Sequence, residues 1–350
     1  MMKPYLLLLT AFLLSSCVSH KTEVKRYSLK HEIVGFQPED VIGQPFQLAM
    51  ADGYLILADG ATEKAFHLFD MDGERYVGDF GIYGQGPGEL LSAQSLVNVN
   101  GKLFFFDTGK NKVFEILLSG DASNIDFAER GSGFAQSHSY VIPVKSGLFA
   151  TCGIYEEGWV KLFDAQENEV SSSEDCPQYE ADGSLSNLIR SFAYQGLLAY
   201  DGGDRLVMAT CQANQLYVYK LEDGNLKCTS SLIESYPKYR DDSSNLQKDT
   251  NREAYGISLD KTNKMGYIGL YAASNGFYAL YSGSSVKEQV DAGRGIMEGS
   301  ELVFYDYDLN ELASYRLDVP LKTFTIDPRT NTVYGFSDLP EATLVKFKLP

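Results

Sequence analysis

A pair of strands recurs six times along this chain, and that repetition limits the fold more than any other feature. Each unit is a short apolar strand, a polar break, an aromatic-rich strand and a turn of acid, Asn or Gly. The units lie at 54–57 with 66–73, 103–107 with 113–117, 148–152 with 160–164, 206–211 with 216–224, 277–281 with 302–306, and 333–336 with 344–347. Anchored on Leu55, Leu103, Leu148, Leu206, Phe277 and Val333, they stand 48, 45, 58, 71 and 56 residues apart. A four-stranded blade takes roughly 40–50 residues, so the longer intervals carry insertions. Polar stretches at 171–186, 235–252 and 282–299 mark them, and no run has an amphipathic helical period of useful length. Short strands between turn residues indicate an all-β fold. Six such units select a six-bladed β-propeller of four-stranded antiparallel blades.

The last unit reaches only its third strand, 343–349. The segment 26–36, with Tyr27, Leu29, Ile33 and Val34, precedes the first unit and is expected to supply the missing strand. That pairing closes the ring without a free edge between first and last blades. Residues 26–350 are then one domain.

Aromatic residues suit this architecture, because Tyr (23) and Phe (20) fit pleated, half-buried surfaces. The net charge of −17 is dispersed. It argues against nucleic acid, whose phosphates need a basic patch, and against docking of the globular part on anionic lipid.

The N-terminus reads as an export signal. Lys3 supplies the positive charge, 5–14 is apolar apart from Thr10, and Leu14-Ser15-Ser16-Cys17 follows. A run of ten residues is too short for a hydrocarbon core, which needs about 20. The final tetrapeptide resembles a lipobox, in which the Cys is acylated and becomes the new N-terminus. Residues 1–17 are therefore expected to be a lipoprotein signal, with Cys17 lipidated and 18–25 a tether. The leaflet is left open, because Val18-Ser19-His20-Lys21 is not an acidic run.

Three patches resemble the TolB-like six-bladed propeller lipoproteins common in Bacteroidetes. They are Gly84-Gln85-Gly86-Pro87-Gly88-Glu89, Tyr278-Ala279-Leu280-Tyr281-Ser282-Gly283, and the run of 302–306, 315–318 and 324–327. The likeness is strongest at 78–90 and 265–348 and weaker over 120–260. It implies the propeller and the envelope location, and it carries no catalytic residues over to this chain.

Candidate chemistry is sparse. The 84–89 loop lacks the Lys-Ser/Thr and following helix of a phosphate loop, and Glu89 would repel phosphate. It reads as an inter-blade turn formed by Gly84, Gly86, Pro87, Gly88 and Glu89. His31, His67 and His138 are scattered among strands, and Asp70-Met71-Asp72-Gly73 lacks the distal ligands of a calcium loop. Cys152, Cys176, Cys211 and Cys228 form no CxxC pair. Cys152 and Cys211 each end an Ala-Thr-Cys run in neighbouring units, which makes them the candidate disulfide. Trp159, Tyr194, Tyr239 and Tyr255 are expected to pack between blades or to offer stacking surfaces. Arg190, Arg252 and Arg294 lie near loops as candidate anion contacts.

These features point to a lipid-anchored cell-envelope propeller, a monomer that binds a protein, glycan or small ligand, with no catalytic, cofactor or metal residues assigned. The insertions at 235–252 and 282–299 are the expected recognition loops. The alternative is a calcium-dependent hydrolase or lactonase with Glu89, Asn98, Asn187, Asn275 and Asp327 converging in the central channel.

Overall fold

The computed structural model describes residues 24–36, 42–119, 121–135, 137–179, 183–250, 254–293, 297–339 and 341–350. The lipobox and Cys17 lie outside them, as do Arg252 and Arg294.

Six four-stranded antiparallel sheets are arranged around a central channel. From channel to rim, blade I is Pro45–Ala51, Tyr54–Asp59, Lys64–Asp70 and Arg75–Ile82. Blade II is Ala93–Val99, Lys102–Asp107, Lys112–Leu117 and Asp126–Ser132. Blade III is His138–Pro143, Phe149–Gly153, Val160–Phe163 and Glu169–Ser172. Blade IV is Gly196–Tyr200, Arg205–Thr210, Gln215–Glu222 and Asn225–Ile233. Blade V is Tyr267–Ala273, Gly276–Tyr281, Gly299–Tyr305 and Glu311–Leu321, and blade VI begins Thr323–Asp327, Thr332–Ser337, Thr343–Lys348. The six repeats read from the sequence are thus the second and third strands of each blade.

The expected ring closure is present, with one correction. Glu32–Ile33 is the fourth strand of blade VI, with Ile33 opposite Val345, and the Val34 N–H donates to the Leu344 carbonyl at 3.0 Å. The earlier half of the same segment, Lys25–Leu29, instead runs parallel to Glu311–Leu321 as a fifth strand of blade V. Packing explains the division. Tyr27 stacks on Tyr315 at 5.4 Å, and Leu29 lies opposite Leu317 against the cluster shared by blades V and VI.

Each pair of neighbouring blades shares an apolar cluster. Leu55, Phe69, Leu206, Phe277 and Phe336 are fully buried in these clusters. Burying one such side chain stabilises by roughly 1.5–3 kcal/mol.

Every innermost strand enters the channel from the same end. Connections between blades, and between second and third strands, therefore lie on one face. That face carries all the described α-helices: α1 (Asn187–Ala193), α2 (Ser243–Thr250) and α3 (Val286–Asp291). It also carries the small sheet of Tyr239–Asp241 and Ile257–Leu259. The sequence pattern missed these helices because each has eight residues or fewer, too short to display a period. α3 is set by a capping box, with Ser285 receiving the Glu288 N–H while Glu288 accepts the Ser285 N–H. The opposite face consists mainly of tight hairpins, where Asp52, Asn100, Asp223 and Asn331 adopt positive φ.

Candidate functional site

The inner strands enclose a channel cavity of about 1310 Å³. Their inner edges would present unpaired backbone groups, a cost the sequence meets with side-chain amides and hydroxyls. Gln47 Oε1 accepts the Leu96 N–H at 2.8 Å and its Nε2 donates to Tyr140 Oη at 3.2 Å, linking blades I, II and III. Ser95 Oγ accepts the Val141 N–H at 3.2 Å. Ser139 donates to Gln195 Oε1, and Gln195 Nε2 donates to the Ser191 carbonyl of α1 at 2.6 Å. Towards the hairpin face, Asn98 donates to the Met50 carbonyl, and Asn100 reaches the Gly202 carbonyl at 3.2 Å.

The mouth on the helix-bearing face is shaped by a recurring irregularity. Inner strands of blades I, II, III and V shift register within their first residues, between Pro45 and Gln47, Gln94 and Val97, His138 and Tyr140, and Tyr267 and Gly269. The residues set out of register include Phe46, Leu96, Ser139 and Ile268, and all four line the cavity. Bulges re-aim side chains and are frequent beside functional sites. Four at one level form a ring of alternating polar and apolar character, completed by Gln94, Gln195 and Met297.

Two carboxylates hold this mouth in shape. Asp59 ends the second strand of blade I and accepts the N–H groups of Gly43 (2.6 Å), Gln44 (2.9 Å) and Ala61 (2.9 Å). Asp107, at the equivalent place in blade II, accepts those of Leu91 (2.9 Å) and Ser92 (3.1 Å). Behind Asp59, the buried His67 ring lies 3.2 Å from Asp59 and 2.6 Å from Asp79, which also receives the Tyr76 hydroxyl. Burial opposes ionisation of Asp59, but the His67 hydrogen bond and the backbone donors outweigh it and hold its pKa at about 2. Burial likewise disfavours the His67 imidazolium, yet hydrogen bonds to Asp59 and Asp79 prevail and raise its pKa.

The sequence-derived candidates disperse. Glu89 receives the Gly86 N–H at 2.6 Å, and a Cβ on Gly84 would stand 2.1 Å from its carboxylate. Gly84, Gly86, Pro87 and Gly88 thus form a turn closed around its own acid, with Gly88 at φ +80°. Asn98 and Asp327 line the channel, but Glu89, Asn187 and Asn275 do not. Asn187 is buried and donates to the Tyr155 and Gly158 carbonyls, and Asn275 is an exposed hairpin residue. Asp327 is held by Arg329 at 3.1 Å. The five expected calcium ligands therefore do not converge, because two serve loops and one serves a hairpin. Among the described residues no group of three or more His, Cys, Asp or Glu is arranged to hold a metal ion.

Cys152 and Cys211 are both free thiols here. Cys152 lies within its strand and donates to the Gly196 carbonyl at 3.5 Å, while Cys211 falls one residue past its strand, on the channel wall. Their positions in the two blades are therefore offset rather than matched. Burial pushes the Cys211 thiol up to about 12, so it is a poor nucleophile at neutral pH. Trp159 and Tyr194 are buried between blades III and IV, with the indole N–H on the Tyr194 carbonyl at 3.1 Å. Arg190 is buried against Asp175 at 3.6 Å, and Tyr255 is exposed.

The ring of Gln47, Gln94, Tyr140 and Gln195 was not found from sequence. It lies on the innermost strands, whereas the repeat is visible in the second and third. The available signal was a Gln near the start of the inner strands of blades I, II and IV. Also unforeseen is the stack of Tyr179 on Tyr236 at 4.5 Å, on the helix-bearing face.

Comparison with known proteins agrees with this architecture. An exported-protein candidate from Bacteroides fragilis has a similar fold, with a TM-score of 0.58 at 13% identity, covering 93% of this chain and 99% of that one. The calcium-binding protein regucalcin from Agrobacterium tumefaciens gives a TM-score of 0.49 at 10% identity, covering 93% and 95%. No curated protein matches the chain. The family model described as TolB-like 6-blade propeller-like matches residues 36–329. The chain belongs to the TolB-like six-bladed propeller family.

Proposed function

We propose that this protein is a lipid-anchored binding module of the cell envelope, and that it takes its ligand at the channel mouth on the helix-bearing face. One observation carries the reading. The bulges of the inner strands, the three α-helices and the extra sheet all lie on one face, and Gln195 of the cavity mouth there donates to the Ser191 carbonyl of α1. The mouth presents amides, a phenol and apolar side chains, a set suited to binding through hydrogen bonds and stacking rather than to bond cleavage. The anchor rests on the lipobox sequence at Cys17, and the exported-protein candidate of like fold agrees with export.

Photo-crosslinking in the native envelope tests the site. A crosslinker at Met297, exposed beside the mouth, is expected to capture ligand or partner, and one at Asp308 on the hairpin face is not. Equal capture at both positions sinks the proposal. Fatty-acid labelling that persists after Cys17→Ser sinks the anchor.

A further inference from the structure

Five of the eight described arginines are ion-paired with a described acid: Arg75, Arg130, Arg190, Arg205 and Arg329. The other three are Arg26, Arg240 and Arg316. Two of these three, Arg26 and Arg316, line one surface pocket of about 490 Å³ on the outer edge of blade V. In a chain of net charge −17 this pairing is a local reversal of sign.

Strand register creates it. Arg26 lies opposite Ser314, and Ser28 lies opposite Arg316. Side chains alternate along a strand, so Tyr27, Leu29, Tyr315 and Leu317 turn to the core and the other four share the outward face. Two guanidiniums and two hydroxyls thus sit at the corners of one patch, and Ser300 adds a third hydroxyl. All are hydrogen-bond donors, and guanidinium matches the planar pairs of oxygens on a phosphate. The flanking acids are engaged: Glu32 with Lys346 at 3.3 Å and Asp318 with His31 at 3.0 Å. Glu301, the one acid in the pocket wall, lies opposite Arg316 in the strand register and accepts the Ser314 hydroxyl at 3.5 Å, so the two arginines keep a net positive charge against this single acid.

We propose that this edge of blade V docks on the phosphate headgroups of the membrane that holds the protein. The inference rests on the lipid anchor proposed above. Arg26 lies nine residues beyond Cys17, a reach of at most about 30 Å for extended chain. A tether that short holds the first described strand beside the headgroups and makes their contact with the patch effectively intramolecular, so individually weak contacts suffice. The dispersed negative charge still repels the rest of the surface, which selects this edge and leaves the helix-bearing face free.

Arginine footprinting on the native lipoprotein tests the proposal. The protein is reconstituted into vesicles of phosphatidylcholine with phosphatidylglycerol, or held in neutral detergent. It is treated with a phenylglyoxal reagent and read residue by residue by mass spectrometry. Arg240, exposed on the helix-bearing face and without an ion pair to a described acid, is the internal control. Arg26 and Arg316 are expected to react about fivefold more slowly on the vesicles, the factor that ~1 kcal/mol per arginine at an anionic surface represents. Arg240 is expected to react equally in both. Equal reactivity of Arg26 and Arg316 in the two settings overturns the proposal, as does equal protection of Arg240. Protection by inorganic phosphate in detergent, matching that on vesicles, also overturns it in favour of a free-phosphate site. Co-flotation with vesicles and the acyl mass on Cys17 are read first, so a missing anchor is distinguished from a failed docking surface.

Discussion

His67 is enclosed by two carboxylates, and its partners reach the channel mouth through Asp59. This network makes stability depend on pH in a definite sense. The folded pKa of His67 is raised above the ordinary 6.5, so its contribution is complete below that value and is lost as pH rises through the raised one. The folded pKa of Asp59 is lowered from 3.8 to about 2, so its contribution is present above 3.8 and is lost as pH falls towards 2. His67→Gln is expected to cost about 1–3 kcal/mol in mildly acidic solution, because Asp59 then lacks its buried ionic partner. The cost should shrink as pH rises. Urea unfolding across that range checks this, and a constant difference between parent and variant would refute it. Such a network is invisible in a single sequence. His67 and Asp79 are twelve residues apart on neighbouring strands, and only the register that places His67 opposite Asp79 brings them together.

At the scale of the element, the 84–89 turn was legible as a turn, but what closes it was not. Its glycines are required by the Glu89 carboxylate folded over them, at 2.1 Å from a Cβ on Gly84 and 2.9 Å from one on Gly86. Gly84→Ala is expected to displace that carboxylate and cost about 1–2 kcal/mol, in the range of a lost charge-assisted hydrogen bond. Glu89→Ala removes the acceptor of the Gly86 N–H and should cost a similar amount. The double variant should cost clearly less than the sum, because the clash and the hydrogen bond involve the same carboxylate. Thermal unfolding of the four proteins measures the coupling, and simple additivity would exclude it. The second and third strands of every blade were readable for a related physical reason. The second strands are buried on both faces and the third strands largely so, and they appear as apolar runs such as 103–106. The innermost strands mix buried and channel-facing residues and are bulged, as in Ala93–Val99, so no simple period marks them.

Ring closure governs the whole molecule, and the N-terminal segment contributes to it at two places of unequal weight. Val34 is buried in the cluster joining blades VI and I, with Leu48, Leu57, Phe336 and Leu344, and its N–H continues the ladder to Leu344. Tyr27 is half-buried on the fifth strand of blade V, outside the four that complete the blade. A propeller unfolds cooperatively only while its first and last blades are joined, so the seam is part of the global transition. The fifth strand has no such role, and its opening leaves the ring intact. Val34→Ala should therefore lower global stability by about 1–2.5 kcal/mol, as large-to-small changes in a closed core do. Tyr27→Ala should leave the global transition nearly unchanged while speeding hydrogen exchange over Lys25–Leu29 alone. Equal effects of the two variants on the melting curve would mean that blade V needs its fifth strand. The separation also bears on how the molecule is held. With the lipid anchor proposed at Cys17, local opening of Lys25–Leu29 would lengthen the tether by that strand without breaking the ring, and the channel mouth would gain reach from the bilayer while keeping its shape.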